Sequence, residues 1–472
     1  MKPHAISYSG VMLLLGGAIL LPMIASQAQN ASQITNTSRT AQPGTYAIDL
    51  PTVLKLANAQ NLDVQIAQQQ SAEARARYET AVMQFLPWVS PGIGYQRHDN
   101  LAQDTPGNIL DVHKQNYTPG ATFSARIDAG EALYTSLAAR QNVQASGHAV
   151  EAQRQNSVLA AALGYFDLLQ AGASVRVAEE ASRISRNYEG QIKNAVDAGL
   201  AYKGDQLRVQ VQTGQTELVL RQSRERQRVV AARLATILYL DPTVELVANE
   251  QELVPLSLIS SNAALGSLVE AALANRPEIH QSRALVQAAN SFKQGAVLGP
   301  LIPSLGGQAY LGGLGGGIDH MPGRFGESED YTATLSWRIG PGGLFDFGHI
   351  HQSQAQLEIA RLSDEKLRDE ILRQVVESLT RFRSLSDQLA TARETLAAAA
   401  EAQKLAEQRK EFGVGVVLEA IQTQLDLTRA QNDFLNTVAE YDKAQYSLET
   451  ATGGLLNQTE HPRKSPLESI HR

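Results

Sequence analysis

Apolar and polar residues alternate along Tyr331-Thr-Ala-Thr-Leu-Ser-Trp-Arg-Ile339. Tyr331, Ala333, Leu335, Trp337 and Ile339 share one parity, and Thr332, Thr334, Ser336 and Arg338 share the other. A period of two predicts a strand with two different faces. Glycines follow at Gly340 and Gly342, and then a helical pattern begins. The same order occurs earlier in the chain. Ala121-Thr-Phe-Ser-Ala-Arg-Ile127 matches Ala333–Ile339 at five of seven positions, about 212 residues upstream. Phe123 and Ile127 take the apolar parity there, and Thr122, Ser124 and Arg126 the polar one. That copy also reaches a glycine, Gly130, and a second helical pattern. Two copies of one plan predict an internal duplication.

Each half reads as helix, strand, strand, long helix, tip and returning helix. In the first, apolar residues step by three and four from Leu50 to Gln84, and Pro87 ends the run. Trp88–Gln96 alternates as a strand. Arg97–Asn116 is polar and reads as a loop, and Tyr117–Ile127 is the second strand. A helix without proline is expected from Ala132 to about Ala195, a break at Ala198–Asp205, and a return over Asp205–Leu240. In the second half the first helix is Leu265–Leu298, followed by a glycine-rich strand and loop over Ser304–Asp330. The long helix follows from about Phe347 to Phe412, the break at Gly413-Val-Gly415, and the return over Leu418–Ala451. The first repeat is thus expected over 46–254, a linker over 255–264 and the second repeat over 265–453. A tail of little periodicity runs over 454–472. Before the repeats, Lys2, the apolar run Val11–Ala25 and Ser26-Gln-Ala28 predict a signal peptide over 1–28, and 29–45 reads as a flexible leader.

Composition narrows the function. A net charge of −7 argues against a nucleic-acid binder. The absence of cysteine removes disulfides, thiolate catalysis and zinc-thiolate sites. Aromatics at 6% suit narrow helix–helix seams better than a thick core. Gly312–Gly317 lacks the Lys-Ser/Thr ending of a phosphate loop. His349 and His351 do not share a helical face. No Ser-His-Asp or metalloprotease spacing stands out, so neither an enzyme nor a cofactor or metal is expected. His98, Asp99, Asp111 and His113 read as a solvated loop.

Four strands are too few to close a barrel, and a strand edge left open in lipid is intolerable. A protomer with four such strands must pool them with copies of itself, and three copies supply twelve. Thr122, Ser124, Arg126, Thr332, Thr334, Ser336 and Arg338 would then face the lumen. Phe123, Ile127, Leu335, Trp337 and Ile339 would face the membrane. The long helices are too polar for lipid and would project into an aqueous compartment.

The duplicated plan, the turn Gly340-Pro-Gly-Gly-Leu-Phe-Asp-Phe-Gly348, the tip Phe412-Gly-Val-Gly-Val-Val-Leu-Glu-Ala-Ile-Gln422 and the closing helix Tyr441–Gly454 resemble the TolC-like outer-membrane efflux proteins. The resemblance spans about residues 45–453. It implies a mainly α fold with transmembrane β-structure: internally duplicated long helical hairpins plus four strands per protomer. Three protomers would form a 12-stranded β-barrel continued by a periplasmic α-helical barrel. It also implies a homotrimer in outer-membrane lipid of a Gram-negative bacterium. Its partners would be a periplasmic adaptor (membrane fusion) protein and an inner-membrane pump of RND, ABC or MFS type. Small toxic compounds are the expected cargo; type I secretion of proteins or peptides and metal-ion efflux are alternatives. A periplasmic coiled-coil spacer is the alternative of another class, and it would not need two-faced strands.

In that family the helix-to-helix breaks form the tunnel tip, where the duct constricts and the adaptor docks. Here these are Gly199 and Asp205 in one half, and Gly413, Gly415, Glu419 and Gln422 in the other. Asp205 and Glu419 each stand six residues after a break glycine, so threefold symmetry would ring the mouth with six carboxylates. Two readings stand: a cation-favouring constriction, or first-turn acids that stabilise helix N-termini. Gly415 occupies a place where the family can carry a basic latch residue, and Gln422 one where it can carry a second acid. Both departures argue against a salt-bridged lock.

Overall fold

The computed structural model describes residues 45–250, 252–260, 263–318, 323–411 and 417–454. The expected signal peptide, Gly413, Gly415 and the tail beyond Gly454 lie outside them, as does the expected leader apart from Thr45. In chain order the elements are β1 (Thr45–Ile48), α1 (Leu50–Gln60), α2 (Leu62–Met83), β2 (Trp88–Gln103), β3 (Ile109–Ile127), α3 (Ala129–Asp197), α4 (Lys203–Ile237) and β4 (Glu245–Ala248). The second half has α5 (Leu265–Asn275), α6 (Pro277–Leu298), β5 (Ser304–Ile318), β6 (Phe325–Ser336), α7 (Phe347–Glu411) and α8 (Val417–Ala451). The duplicated order of helices and strands is present.

The spine is α3, 69 residues and about 100 Å long. Against one flank of α3 lie α1, α2 and α4; against the other lie α6 and α8, with α7 packed beyond them. The shorter helices stack end to end to match the long one. Asn61 makes the first joint. Its Oδ1 accepts from the N–H groups of Asp63 (2.8 Å) and Val64 (3.4 Å), and its Nδ2 donates to the Ile237 carbonyl at the end of α4 (3.1 Å). One side chain thus caps α2 and satisfies a terminal carbonyl of α4. The expected single helix Leu50–Gln84 is therefore two helices broken at Asn61. In the second half the break falls at Arg276-Pro277. The Arg276 guanidinium, almost fully buried, holds Glu278 (2.7 Å) and Gln374 of α7 (2.6 Å). The end of α8 abuts this second joint. Gly453, at φ +77°, sits where a Cβ would lie 3.0 Å from the Asn275 carbonyl carbon.

Among the described residues α3 is the helix long and apolar enough to cross a bilayer. Yet 61% of its apolar window is buried inside the protein, so the window is core. Val158, Ala161, Tyr165, Phe166 and Leu168 pack there with Val53 of α1, Leu234 of α4, Leu246 of β4 and Val438 of α8. A parallel pair, β1 with β4, belts this region. Four residues per strand left no periodic signal to predict either one.

The segment joining the repeats is held by α8 rather than by a strand partner. Gln445, fully buried, accepts from the Leu258 N–H (2.8 Å) and donates to the Leu256 carbonyl (3.1 Å). Asp442, also fully buried, accepts from the Leu256 N–H through Oδ1 (2.8 Å). Its Oδ2 meets no donor among the described residues. Burial pushes the Asp442 carboxyl up to about 7.

That displacement sets a pH dependence. Between the ordinary value of 3.8 and about 7 the native protein holds a proton that the unfolded chain has lost. The stability this proton confers is complete below about pH 4 and is lost as pH rises through about 7. The ionised group then costs roughly 4 kcal/mol. Asp442→Asn keeps the acceptor for Leu256 but adds a donor without an acceptor, at about 1–2 kcal/mol. The variant should be about 2 kcal/mol more stable than the parent at pH 8. At pH 5 the advantage should be absent, as read from thermal unfolding at both pH values.

Candidate functional site

Four antiparallel strands pair in the order β2-β3-β5-β6. Their register aligns like faces across all four, with Glu327 and Glu329 of β6 interrupting the apolar one. One row pairs Val89 with Phe123, Phe123 with Ala309 and Ala309 with Tyr331. Another pairs Ile127 with Leu305 and Leu305 with Leu335. Farther along, Tyr95, Tyr117, Gly315 and Phe325 form an aromatic row, with Tyr95 and Tyr117 stacked at 6.4 Å. Residues of the other parity face the opposite way: Ser90 with Thr122, Ser124 with Gln308, Gln308 with Thr332, Gly306 with Thr334, and Ser304 with Ser336. The apolar face is bare, with Ile93 83%, Tyr331 69% and Leu335 60% exposed. From Tyr117 to Ile127 that face extends about 36 Å along β3, or about 25 Å in height at a tilt near 45°. Glycines open gaps in the polar face at Gly92, Gly94, Gly120, Gly306, Gly312 and Gly316. Tyr310 lies among them, its hydroxyl donating to the carbonyls of Gly313 (2.9 Å) and Pro119 (3.2 Å).

The structure corrects the strand boundaries. The expected loop Arg97–Asn116 is mostly strand: β2 and β3 stay paired to Gln103↔Ile109 and turn at Asp104–Asn108. Beyond Tyr95 both faces carry polar side chains, such as Arg97, Asp99 and His113 on one and His98 and Lys114 on the other. The period-two signal vanishes there although the ladder continues. Arg97 Nε donates to Asp99 (2.7 Å), and His113 lies 3.0 Å from the same carboxylate. Gly312–Gly317 lies within β5, and β6 begins at Phe325 rather than near Tyr331.

At the other end β6 stops at Ser336, so Trp337, Arg338 and Ile339 lie past the strand. Their would-be partner chain is Pro303 and the turn before it, which offers no ladder. Trp337 instead donates its indole N–H to the Leu301 carbonyl (3.3 Å), and Ile339 bridges Leu344. Gly340 and Gly342 adopt φ of +106° and +72° to reverse the chain. Asp346 then caps α7, accepting from the N–H groups of Gly342 (2.8 Å) and His349 (3.0 Å). Those two bonds hold its carboxyl below the usual range.

At the far end of the helices, Gly199 (φ +73°) turns α3 towards α4. Leu200 and Tyr202 stand exposed there at 84% and 76%. Asp205 and Glu419 lie in the first turns of α4 and α8. Asp205 lies 3.5 Å from Arg208 on its own helix. Glu419 accepts from Arg409 of α7 at 2.7 Å, a pair that ties the two helices of the hairpin. Gln422 donates to Asp426 (3.0 Å). Sequence reasoning missed Arg409; the signal was a basic residue in the last turn before the break, facing an acid in the first turn after it.

Residues 268–454 match the family model described as outer membrane efflux protein. No curated protein sequence matches the chain. Solved structures do. The CmeC outer membrane channel of Campylobacter jejuni superposes with a TM-score of 0.75 at 16% identity, covering 86% of each chain. VceC, an outer membrane protein of Vibrio cholerae, gives 0.72 at 16%, covering 86% of this chain and 96% of that one. The open MtrE outer membrane channel of Neisseria gonorrhoeae gives 0.68 at 17%, covering 86% and 89%. The fold is that of outer-membrane channels, and the resemblance read from the residues holds for fold class. The matched model is described as an outer membrane efflux protein, and CmeC and MtrE are described as outer membrane channels.

The junction between sheet and helices is narrow enough to test. A Cβ on Gly130, in the first turn of α3, would lie 2.1 Å from the Gly299 carbonyl oxygen. On the same helix a Cβ on Gly147 would meet nothing within 4 Å. Gly130→Ala should therefore lose about 1–3 kcal/mol. Gly147→Ala should be neutral or gain about 0.5–1 kcal/mol. Thermal unfolding of the two variants side by side checks the pair.

Proposed function

We propose that three copies of this chain close one barrel and one tunnel in the outer membrane of a Gram-negative bacterium. The assembly is an exit duct. It takes small toxic compounds from a periplasmic adaptor and an inner-membrane pump and releases them outside. The observation that carries this reading is the matched pair of open sides on each protomer. Among the described residues the sheet ends in two unpaired edges, β2 and β6. The helical columns end in α2 and α4 on one side and α7 on the other, and α7 makes no extended contact with α2 or α4 of its own chain among the described residues. Both open flanks carry exposed apolar residues: Leu207, Val211 and Leu218 on α4, and Ile359, Leu362 and Leu405 on α7. A rotation that seats β6 on the next β2 also seats α7 on the next α2 and α4, so sheet and columns close together.

In that ring Phe123, Ile127, Leu335 and Tyr331 face lipid, with Trp337 and Ile339 at the periplasmic interface where Trp is favoured. Thr122, Ser124, Arg126, Thr332, Thr334 and Ser336 face the lumen. A lumen lined by small Ser, Thr and Gly residues carries few charged groups for discrimination, which moves selection to the tip. There Asp205 and Glu419 from three chains supply six carboxylates, with Arg409 drawing off part of the charge of Glu419.

The reading predicts that the detergent-extracted protein has the mass of three chains and opens conducting channels in planar bilayers. A soluble, non-conducting species would reject it. Asp205→Ala combined with Glu419→Ala should raise single-channel conductance and reduce cation preference, whereas Arg409→Ala should increase cation preference. Unchanged conductance and selectivity in both variants would leave the duct but remove the carboxylate constriction.

A further inference from the structure

The shaft carries one cluster that the duct does not use. His148 of α3 and His280 of α6 face each other across the seam between the two repeats, their ring centres 5.2 Å apart and their planes tilted by 31°. His280 Nε2 lies 3.1 Å from the Ala274 carbonyl oxygen. A carbonyl only accepts, so Nε2 carries the hydrogen and Nδ1 keeps its lone pair. A backbone carbonyl that fixes the tautomer in this way is the usual outer partner of a metal-binding imidazole. The spacing also suits coordination. With metal–nitrogen bonds of about 2.1 Å and a tetrahedral angle, two imidazole centres stand roughly 5 Å apart.

We propose that His148 and His280 form a two-imidazole site for a borderline divalent transition-metal ion such as Zn2+, on the seam that joins the repeats. Among the described residues no third His, Cys, Asp or Glu completes a closed set. Glu151, one turn along α3, is held by Arg154 at 2.8 Å. The remaining positions are left to water, which makes the site open and exchangeable rather than structural. A bound ion ties α3 of the first repeat to α6 of the second, so it stiffens the wall whether or not the chain conducts.

The test uses the full protein in detergent, stripped by chelator and titrated with Zn2+ in a calorimeter, with Co2+ as a spectroscopic probe. The expected result is one ion per chain, Co2+ visible bands of imidazole coordination, and an unfolding midpoint that rises with Zn2+ but not with Mg2+. His148→Gln and His280→Gln should each weaken binding at least tenfold and abolish the midpoint rise. Without metal both should melt close to the parent, and Glu151→Gln should bind as the parent does. Absence of stoichiometric binding, or binding retained when both histidines are replaced, overturns the proposal. Should the variants misfold, the Co2+ spectrum of the parent decides alone: no imidazole bands, no site.

Discussion

Two unpaired sheet edges constrain everything else in this molecule. β2 and β6 each present backbone N–H and C=O groups with no strand partner among the described residues. Beside them lies an apolar face that none of the described residues covers. In water such an edge invites association, and in hydrocarbon it is untenable, because no solvent satisfies the exposed groups. Closure with further copies answers both the edges and the apolar face. The helical columns, open on the same two sides, are compatible with the same rotation.

The shaft solves a second problem, that of holding very long helices in register. A helix as long as α3 cannot be stabilised by propensity, so its apolar stripe must be covered along the whole length. Two stacked helices on each flank do this, and every stack leaves a joint with orphaned backbone groups. The two joints are built differently. Asn61 uses one amide for both helices, whereas Arg276 uses a buried ion pair and Gly453 a close backbone approach. Across the middle, Lys443 of α8 binds Asp167 of α3 and Glu440, which Arg381 of α7 also holds. One ionic chain thereby spans three helices from both repeats.

Chemistry is sparse and local in this fold. The carboxyl that burial pushes up to about 7, Asp442, is placed where the linker between repeats needs a hydrogen-bond acceptor in an apolar core. A residue with that displacement in a cleft would suggest catalysis. Here it is enclosed and serves as a clasp. The tip acids, by contrast, are half-buried and paired with exposed arginines. Such surface pairs contribute little to stability. Their weight lies in the field they set at an opening.

Much of this was legible in the residues alone. The duplication, the long helices and the two-faced strands followed from periodicity, because burial on one side writes its period directly into the sequence. The limits of that signal are equally physical. Where both faces of a strand are polar, as from Arg97 to Gln115, the ladder continues but the pattern does not. Where one side chain breaks a helix, as at Asn61, the apolar stripe runs on unbroken across the joint. Where three residues lack a partner strand, as at Trp337–Ile339, alternation persists without pairing. Which acid meets which base at the tip, and that His148 meets His280, depended on packing between segments far apart in the chain. The sequence alone therefore determined the repeated plan and its two environments. Only the tertiary structure decided the joints, the clasp at Asp442 and the pairs across seams, because these arise from contacts that no local period records.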